Sequence, residues 1–248
     1  MTELVHLTTD GPLATITLDS PHNRNALSRQ LVSELFAHLG AAEADPEVKV
    51  VLITSSGRVF CSGADLSEAS EGGMEEGAGA IVRLQRLIAT MSEPVITAIP
   101  GPVRAGGIGI VAASDIAIAA EEATFALTEV KLGLAAAIIS LTVHHRMNPR
   151  AAALTTLGGE VFDGATAASY GLVTEAVPGN RLDERVSEVC ASLATGAAQG
   201  LRESKRILNA GLVERIDARG EEMAELSARL FASEEAHEAM TAFLSRKK

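Results

Sequence analysis

Gly106, Gly107 and Gly109 stand inside GPVRAGGIGIVAASD, residues 101–115, which begins as a loop and ends as an apolar helix. Gly107, Gly109 and Ala112 spell G-x-G-x-x-A, the outline of a dinucleotide-binding fingerprint, and an acid, Glu129, follows downstream. That fingerprint needs its first glycine at the end of a strand, so that the helix N-terminus meets the pyrophosphate directly. Here the strand-like PVITAI ends at Ile99 and PGPVRAG intervenes before Gly107. Two other readings fit the spacing better. The glycines let a helix pack closely, or they let a ligand oxygen approach the unpaired amides of the helix's first turn. Such amides stabilise an oxyanion as well as a phosphate. An oxyanion hole needs a second donor, and RVFCSGADL, residues 58–66, offers another glycine and small-residue pair after a strand. Two such turns at the ends of neighbouring strands would aim two backbone amides at one carbonyl.

The turns require strands to hold them. LATITL (13–18) alternates and is β-branched, VKVVLITSS (48–56), PVITAI (94–99) and DIAIAA (115–120) are short and apolar, and TFALTEV (124–130) reads as a fifth strand. Helical spacing covers 28–45, roughly 78–92 and 106–114. Short apolar strands alternating with helices predict an α/β fold with covered sheets. After residue 136 the strand signals fade. A helix over 148–159 is begun by Asn148-Pro149 and ended by Gly158-Gly159, and a short one lies in 163–173. Three or four amphipathic helices follow Arg181, with a boundary between 180 and 195 that divides a core, 1–190, from a helical region, 191–248. The acidic, glycine-rich segment 67–79 reads as a mobile surface loop.

Composition limits the partners. The 248 residues include no Trp and one Tyr, and the formal charge is −11, so neither base stacking nor phosphate-backbone attraction has the residues it needs. Nucleic acid is therefore not an expected partner, although a local Arg or Lys cluster can still hold a small anion. Two cysteines, Cys61 and Cys190, give no disulfide framework and read as reduced thiols of a cytoplasmic protein. The first residues lack a signal-peptide pattern, and no apolar run reaches membrane-spanning length.

Taken together, NRNALS (23–28), GRVFCSGADLSE (57–68), the segment from Pro94 to Leu134 and AASYGLVTEAVP (167–178) resemble the crotonase superfamily, the enoyl-CoA hydratases and isomerases. The resemblance is collinear over nearly the whole chain. It implies a crotonase (ClpP-like) spiral of β-β-α turns in two stacked sheets. It also implies C-terminal helices that assemble a homotrimer or a dimer of trimers. The ligand would be an acyl-CoA thioester, with coenzyme A part of the substrate, and no metal or other cofactor is implied. By the same resemblance the amides of Ala64 and Gly106 form the oxyanion hole, and Glu129 is the catalytic acid/base. Coenzyme A would lie against Arg24, Asn25, Ala26 and Leu27, with Ser62, Asp65 and Leu66 lining the same groove.

Two departures qualify it. Many hydratases hold one water between two glutamates; the second maps onto Glu129, but the first falls on Gly109. A hydratase would then recruit another polar group, with Glu68, Glu71, Glu75 and Glu76 as candidates. An isomerase moving a double bond from position 3 to 2 needs only Glu129, and a silent acyl-CoA-binding protein needs no base at all. After KLGL the chain runs on as AAAIISLTVHHRM, which with VRAGG resembles a subgroup including methylglutaconyl-CoA hydratase relatives, and this favours hydration. The family often has a lysine where Ser67 stands, which would leave the phosphates to Arg24, Arg58, Lys247 or Lys248. Outside the resemblance, Glu129 reads better as a surface ion-pair partner of Lys131 or Arg104. His144 and His145 point about 100° apart on a helix, which suits packing better than one metal. Cys61 has no base partner, and Ser62 lies in no G-x-S-x-G elbow.

Overall fold

A computed structural model describes residues 2–65, 68 and 74–245. The chain opens with a hairpin, β1 (Val5–Asp10) and β2 (Leu13–Leu18), turned at Gly11 with φ +53°. Helix α1 (Arg29–Ala44) crosses to β3 (Val50–Ser55), and α2 (Met74–Thr90) crosses to β4 (Val95–Ile99). A short strand, β5 (Val103–Arg104), leads into α3 (Gly106–Ala113), followed by β6 (Ile116–Ala120) and β7 (Thr124–Ala126). Then come a 3-10 helix (Thr128–Leu132), α4 (Ala137–Arg146), α5 (Pro149–Gly158), β8 (Phe162–Asp163), α6 (Gly164–Ser169) and β9 (Glu175–Val177). Three helices finish the chain: α7 (Leu182–Ala194), α8 (Ala198–Phe231) and α9 (Glu234–Ser245).

The main sheet runs β1-β2-β3-β4-β6-β9, parallel throughout except for the hairpin, and the small one runs β5-β7-β8. Parallel strands need covered faces, and here Ile16, Leu18, Val51, Ile53, Ile96 and Ile118 are fully buried against the helices. Local chemistry sets the helix ends. Ser28 Oγ caps α1 by accepting from Leu31 N, and Asn148 caps α5 with Pro149 in its first turn and left-handed Gly159 at its end.

The expected spiral is present, with three amendments. TFALTEV is a strand only over Thr124–Ala126; Leu127 then turns the backbone into the 3-10 helix, closed by Gly133 at φ +68°. Alternation of apolar residues alone does not register that turn. Strands β1, β5, β8 and β9 escaped the sequence reading because each is very short or has an exposed end. Residues 67–79, read as a loop, lie partly outside the described residues, and α2 already starts at Met74.

The C-terminal helices fold back on their own chain. Helix α8 packs along α2 and α4 around Val82, Leu141, Leu212, Ile216 and Met223. It is anchored by Lys205, whose Nζ lies 2.9 Å from Asp115 Oδ2 and donates to the carbonyls of Ile88 and Glu93. The turn after the 3-10 helix fits so closely beneath α9 that a Cβ on Gly133 would meet Ala236 N at 3.1 Å.

Candidate active site

The small sheet gathers the chemistry. Cys61 forms a parallel bridge with Val103, and Val103 pairs with Phe125, so the segments after three strands run side by side. Ala64 lies three residues past Cys61, Gly106 three past Val103, and Glu129 four past Phe125. A fourth segment joins them through Leu27, which bridges Ala64 and whose amide donates to Gly63 O at 2.8 Å. All four follow the carboxyl ends of parallel strands of the main sheet, where open α/β sheets place their ligands.

The two turns are in van der Waals contact. Gly63, at φ +94°, has room for no side chain, because a Cβ would meet Ala105 Cβ at 2.9 Å and Arg104 O at 3.3 Å. Ala105 sits at φ 46°, ψ −121°, a conformation that alanine adopts only when its surroundings compel it. Its effect is to swing the first amide of α3 out of the turn. Leu27 packs on that position, since a Cβ at Gly106 would lie 2.8 Å from Leu27 Cδ1. Neither the Ala64 nor the Gly106 amide has a hydrogen-bond acceptor among the described residues, and both residues line one cavity of about 480 Å³.

Glu129 lines the same cavity. Its Oε2 is buried with no hydrogen-bond partner, and desolvation pushes its pKa up to about 7. It forms no ion pair among the described residues, so its reading as a partner of Lys131 or Arg104 is overturned. Arg104 turns away instead and donates to Val103 O, Thr124 O and Thr124 Oγ1. At Gly109 there is no vacancy for a second carboxylate: a Cβ would meet Ile139 Cγ2 at 2.7 Å and Gln85 Cδ at 3.3 Å. Ile139 faces the cavity there, while fully buried Gln85 donates to Ile81 O and Ile138 O and accepts from Thr142 Oγ1.

A backbone donor pair beside a desolvated carboxyl at the end of a ClpP-like spiral narrows the comparison with known proteins. The family model described as enoyl-CoA hydratase/isomerase matches residues 8–248. The chain belongs to the enoyl-CoA hydratase/isomerase family. The crystal structure of an enoyl-CoA hydratase from Mycobacterium avium superposes with TM-score 0.93 at 45% identity, covering 99% of this chain and 98% of that one. The short-chain-enoyl-CoA hydratase of Clostridium acetobutylicum is 28% identical over 98% of this chain and 95% of its own. The 2,3-dehydroadipyl-CoA hydratase of Escherichia coli is 28% identical over 94% and 92%.

Within this enoyl-CoA hydratase/isomerase framework the predicted residues fall into two sets. Leu27, Ala64, Asp65, Gly106 and Glu129 line the cavity. Arg24, Asn25, Ala26 and Ser62 do not; they build the loop behind it. Asn25 Oδ1 accepts from Ser20 N, Asn25 Nδ2 donates to Val59 O, and Ser62 Oγ donates to Asn23 O. Leu66, Ser67, Glu71, Lys247 and Lys248 lie outside the described residues. Of the acidic candidates Glu68 is engaged, its Oε2 accepting from Arg29 N, whereas Glu76 lines the cavity. Cys61 is sealed, with its thiol pushed up to about 12 by burial, which removes it as a nucleophile. His144 Nε2 lies 3.4 Å from Thr156 Oγ1, in an environment that holds its pKa down by desolvation. Glu76 apart, the sequence reading missed the cavity residues that α2, α4 and α8 supply. Arg83, Ile139, Ser227 and Phe231 come from helices whose periodicity shows burial but not which cavity the buried face meets.

Proposed function

We propose that this protein adds water across the double bond of a 2-enoyl-CoA thioester. The observation that carries the reading is the unpartnered, desolvated Glu129 carboxyl in the cavity shared by the two free amides. Attack of water oxygen on C3 moves an electron pair onto the thioester oxygen. The Ala64 and Gly106 amides bind the resulting enolate, each such donor typically contributing about 3–4 kcal/mol. Protonated Glu129 delivers its proton to C2, and its carboxylate then takes the proton released by the attacking water. One carboxyl thus closes the cycle, and its pKa of about 7 keeps both forms populated near neutrality. The chemistry as written uses no metal or redox group, and coenzyme A enters with the substrate.

Ile139 at the place of a second carboxylate favours one further reading, a 3-enoyl to 2-enoyl-CoA isomerase in which Glu129 moves a proton from C2 to C4. Ultraviolet absorbance of the conjugated enoyl thioester separates the two. Hydration makes the signal of a 2-enoyl-CoA decay, and isomerisation makes it grow from a 3-enoyl-CoA. Both depend on Glu129 and are absent in Glu129→Gln. Binding without either change would leave an acyl-CoA-binding protein.

The assembly we assign is a homotrimer or dimer of trimers. Exposed Leu154, Leu157, Val161, Ile207 and Leu208 supply apolar surface for such contacts, and light scattering of the purified protein tests it. A cytoplasmic location accords with two free, buried cysteines.

A further inference from the structure

The buried hydroxyls of this chain are nearly all bonded. Ser114 Oγ donates to Ile110 O, Thr155 Oγ1 to Ala151 O, Thr142 Oγ1 to Gln85 Oε1, and Ser20 Oγ to Asn23 Oδ1. Thr97 Oγ1 has no partner but is sealed in the core. Ser227 on α8 is different. It is only 6% exposed, its hydroxyl makes no hydrogen bond among the described residues, and it lines the ligand cavity.

A solvent-exposed carboxylate on the same cavity stands at the same height. Asp65 accepts from Asn23 Nδ2 and Glu68 from Arg29 N, whereas Glu76, near the start of α2, lines the cavity with no hydrogen bond or ion pair among the described residues. The packing of α2 on α8 sets the level. Arg86 pairs with Asp217 at 2.6 Å, and a Cβ on Gly220 would meet Val82 Cγ1 at 2.8 Å, so the helices run antiparallel. Six residues back along α2 from Val82, about 9 Å, reaches Glu76; the same distance forward along α8 from Gly220 reaches Leu226 and Ser227. Phe231, Ala137 and Ile138 give this part of the cavity an apolar wall.

We propose that Ser227 and Glu76 form a polar subsite for a hydroxyl group carried by the acyl chain. The ligand hydroxyl donates to the Glu76 carboxylate and accepts from Ser227 Oγ. This rests on the acyl-CoA reading above. An alkyl tail would leave the buried Ser227 hydroxyl unpaired and push water off one side of the exposed Glu76 carboxylate, and that penalty is what makes such sites discriminate. A carboxylate tail would face the like charge of Glu76 and would need Arg83, which also lines the cavity.

The test uses saturated thioesters that differ by hydroxyl against methyl: 4-hydroxybutanoyl-CoA with pentanoyl-CoA, and 5-hydroxypentanoyl-CoA with hexanoyl-CoA. Titration calorimetry on the purified protein gives their dissociation constants without turnover. The hydroxylated member of at least one pair should bind about tenfold more tightly or better. That preference should fall below about threefold in Ser227→Ala and in Glu76→Gln, and persist in Ser227→Thr. Equal binding, a preference for the alkyl member, or a preference that survives both variants overturns the subsite. So does tighter binding of glutaryl-CoA that is lost in Arg83→Gln. Failure of every thioester to bind overturns the function and the subsite together, whereas binding without discrimination overturns the subsite alone.

Discussion

A side chain at Gly106 would meet Leu27 Cδ1 at 2.8 Å, and one at Gly109, three residues on in α3, would meet Ile139 Cγ2 at 2.7 Å. The distances match, but the two glycines belong to different halves of the site. Gly106 carries an amide with no acceptor among the described residues, which the proposed reaction uses as an oxyanion donor, and its lack of a side chain leaves that amide open to a ligand oxygen. Gly109 carries nothing toward the ligand; its small size admits Ile139, and the wall it permits is dry. One half of the site is therefore made of backbone and fixed by strand register, while the other is made of side chains and set by what packs behind them. Burial in this apolar half is also what raises the pKa of Glu129, because desolvation disfavours its charged form.

Removing the carboxylate breaks the side-chain half outright, and this has the largest expected effect. Glu129→Gln should lower turnover by about 10² to 10⁴-fold while leaving acyl-CoA binding within about threefold, by absorbance assay and calorimetry. The pH dependence follows from the same burial. The cycle begins and ends with protonated Glu129 and no net proton is consumed, so hydration and dehydration should both slow as pH rises through about 7. For stability the sign is separate. The folded pKa lies above the ordinary 4.5, so the contribution of this group is full below 4.5 and is lost as pH rises through about 7. At pH 8, Glu129→Gln should therefore be more stable than wild type in urea melts, on the order of 2 kcal/mol.

The backbone half breaks next. Gly106→Pro deletes one oxyanion donor and should lower kcat by roughly 10² to 10³-fold. Proline also restricts the residue before it, and Ala105 is already at φ 46°, so circular dichroism must show the fold retained. Gly106→Ala is the companion variant. It keeps the amide and meets only the end of the Leu27 side chain, so most of the activity should survive.

Exchanging the character of Gly109 sharpens the contrast further. Gly109→Glu should cost about 1–3 kcal/mol by overpacking against Ile139 and Gln85. In Gly109→Glu combined with Ile139→Ala the space is returned, and stability should recover by about half or more. If the single variant is as stable as wild type by thermal melt, Ile139 does not close that position.

How much of this was readable in advance divides along the same line. The two turns that offer the proposed oxyanion donors were legible because they are made of backbone. Gly63, Gly106 and the strands before them mark turns, and turns have sequence signatures. Glu129 was legible as a residue, but not as an unpaired carboxyl, since Lys131 and Arg104 lie near enough in sequence to pair with it. Only the small sheet shows Arg104 spent on Thr124. The packing of Ile139 and Gln85 into the space of Gly109 joins residues far apart in sequence, and no local pattern encodes it. Helix α8 read correctly as an amphipathic C-terminal element, but Ser227 and Phe231 reach the cavity through its long-range register on α2, which periodicity cannot supply.

The smallest expected effect comes from the loop that the resemblance assigned to coenzyme A, where two neighbours separate the halves once more. Asn25 is 2% exposed, holds φ 54°, and has its amide group bonded to Ser20 N and Val59 O. Asn25→Ala leaves two buried backbone groups unpaired and should cost about 1–3 kcal/mol in urea melts. Any loss of affinity should then follow from the shift of Leu27 rather than from a missing ligand contact. Arg24, also left-handed at φ 60°, is exposed and should leave stability within about 0.5 kcal/mol on change to Ala. If it meets a coenzyme A phosphate, Arg24→Ala raises KM a few-fold at low salt and less at high salt, with kcat unchanged, because screening weakens exposed charge pairs. A KM that does not move in Arg24→Ala would assign the whole loop to holding Leu27 against Gly106, and the phosphates to residues elsewhere.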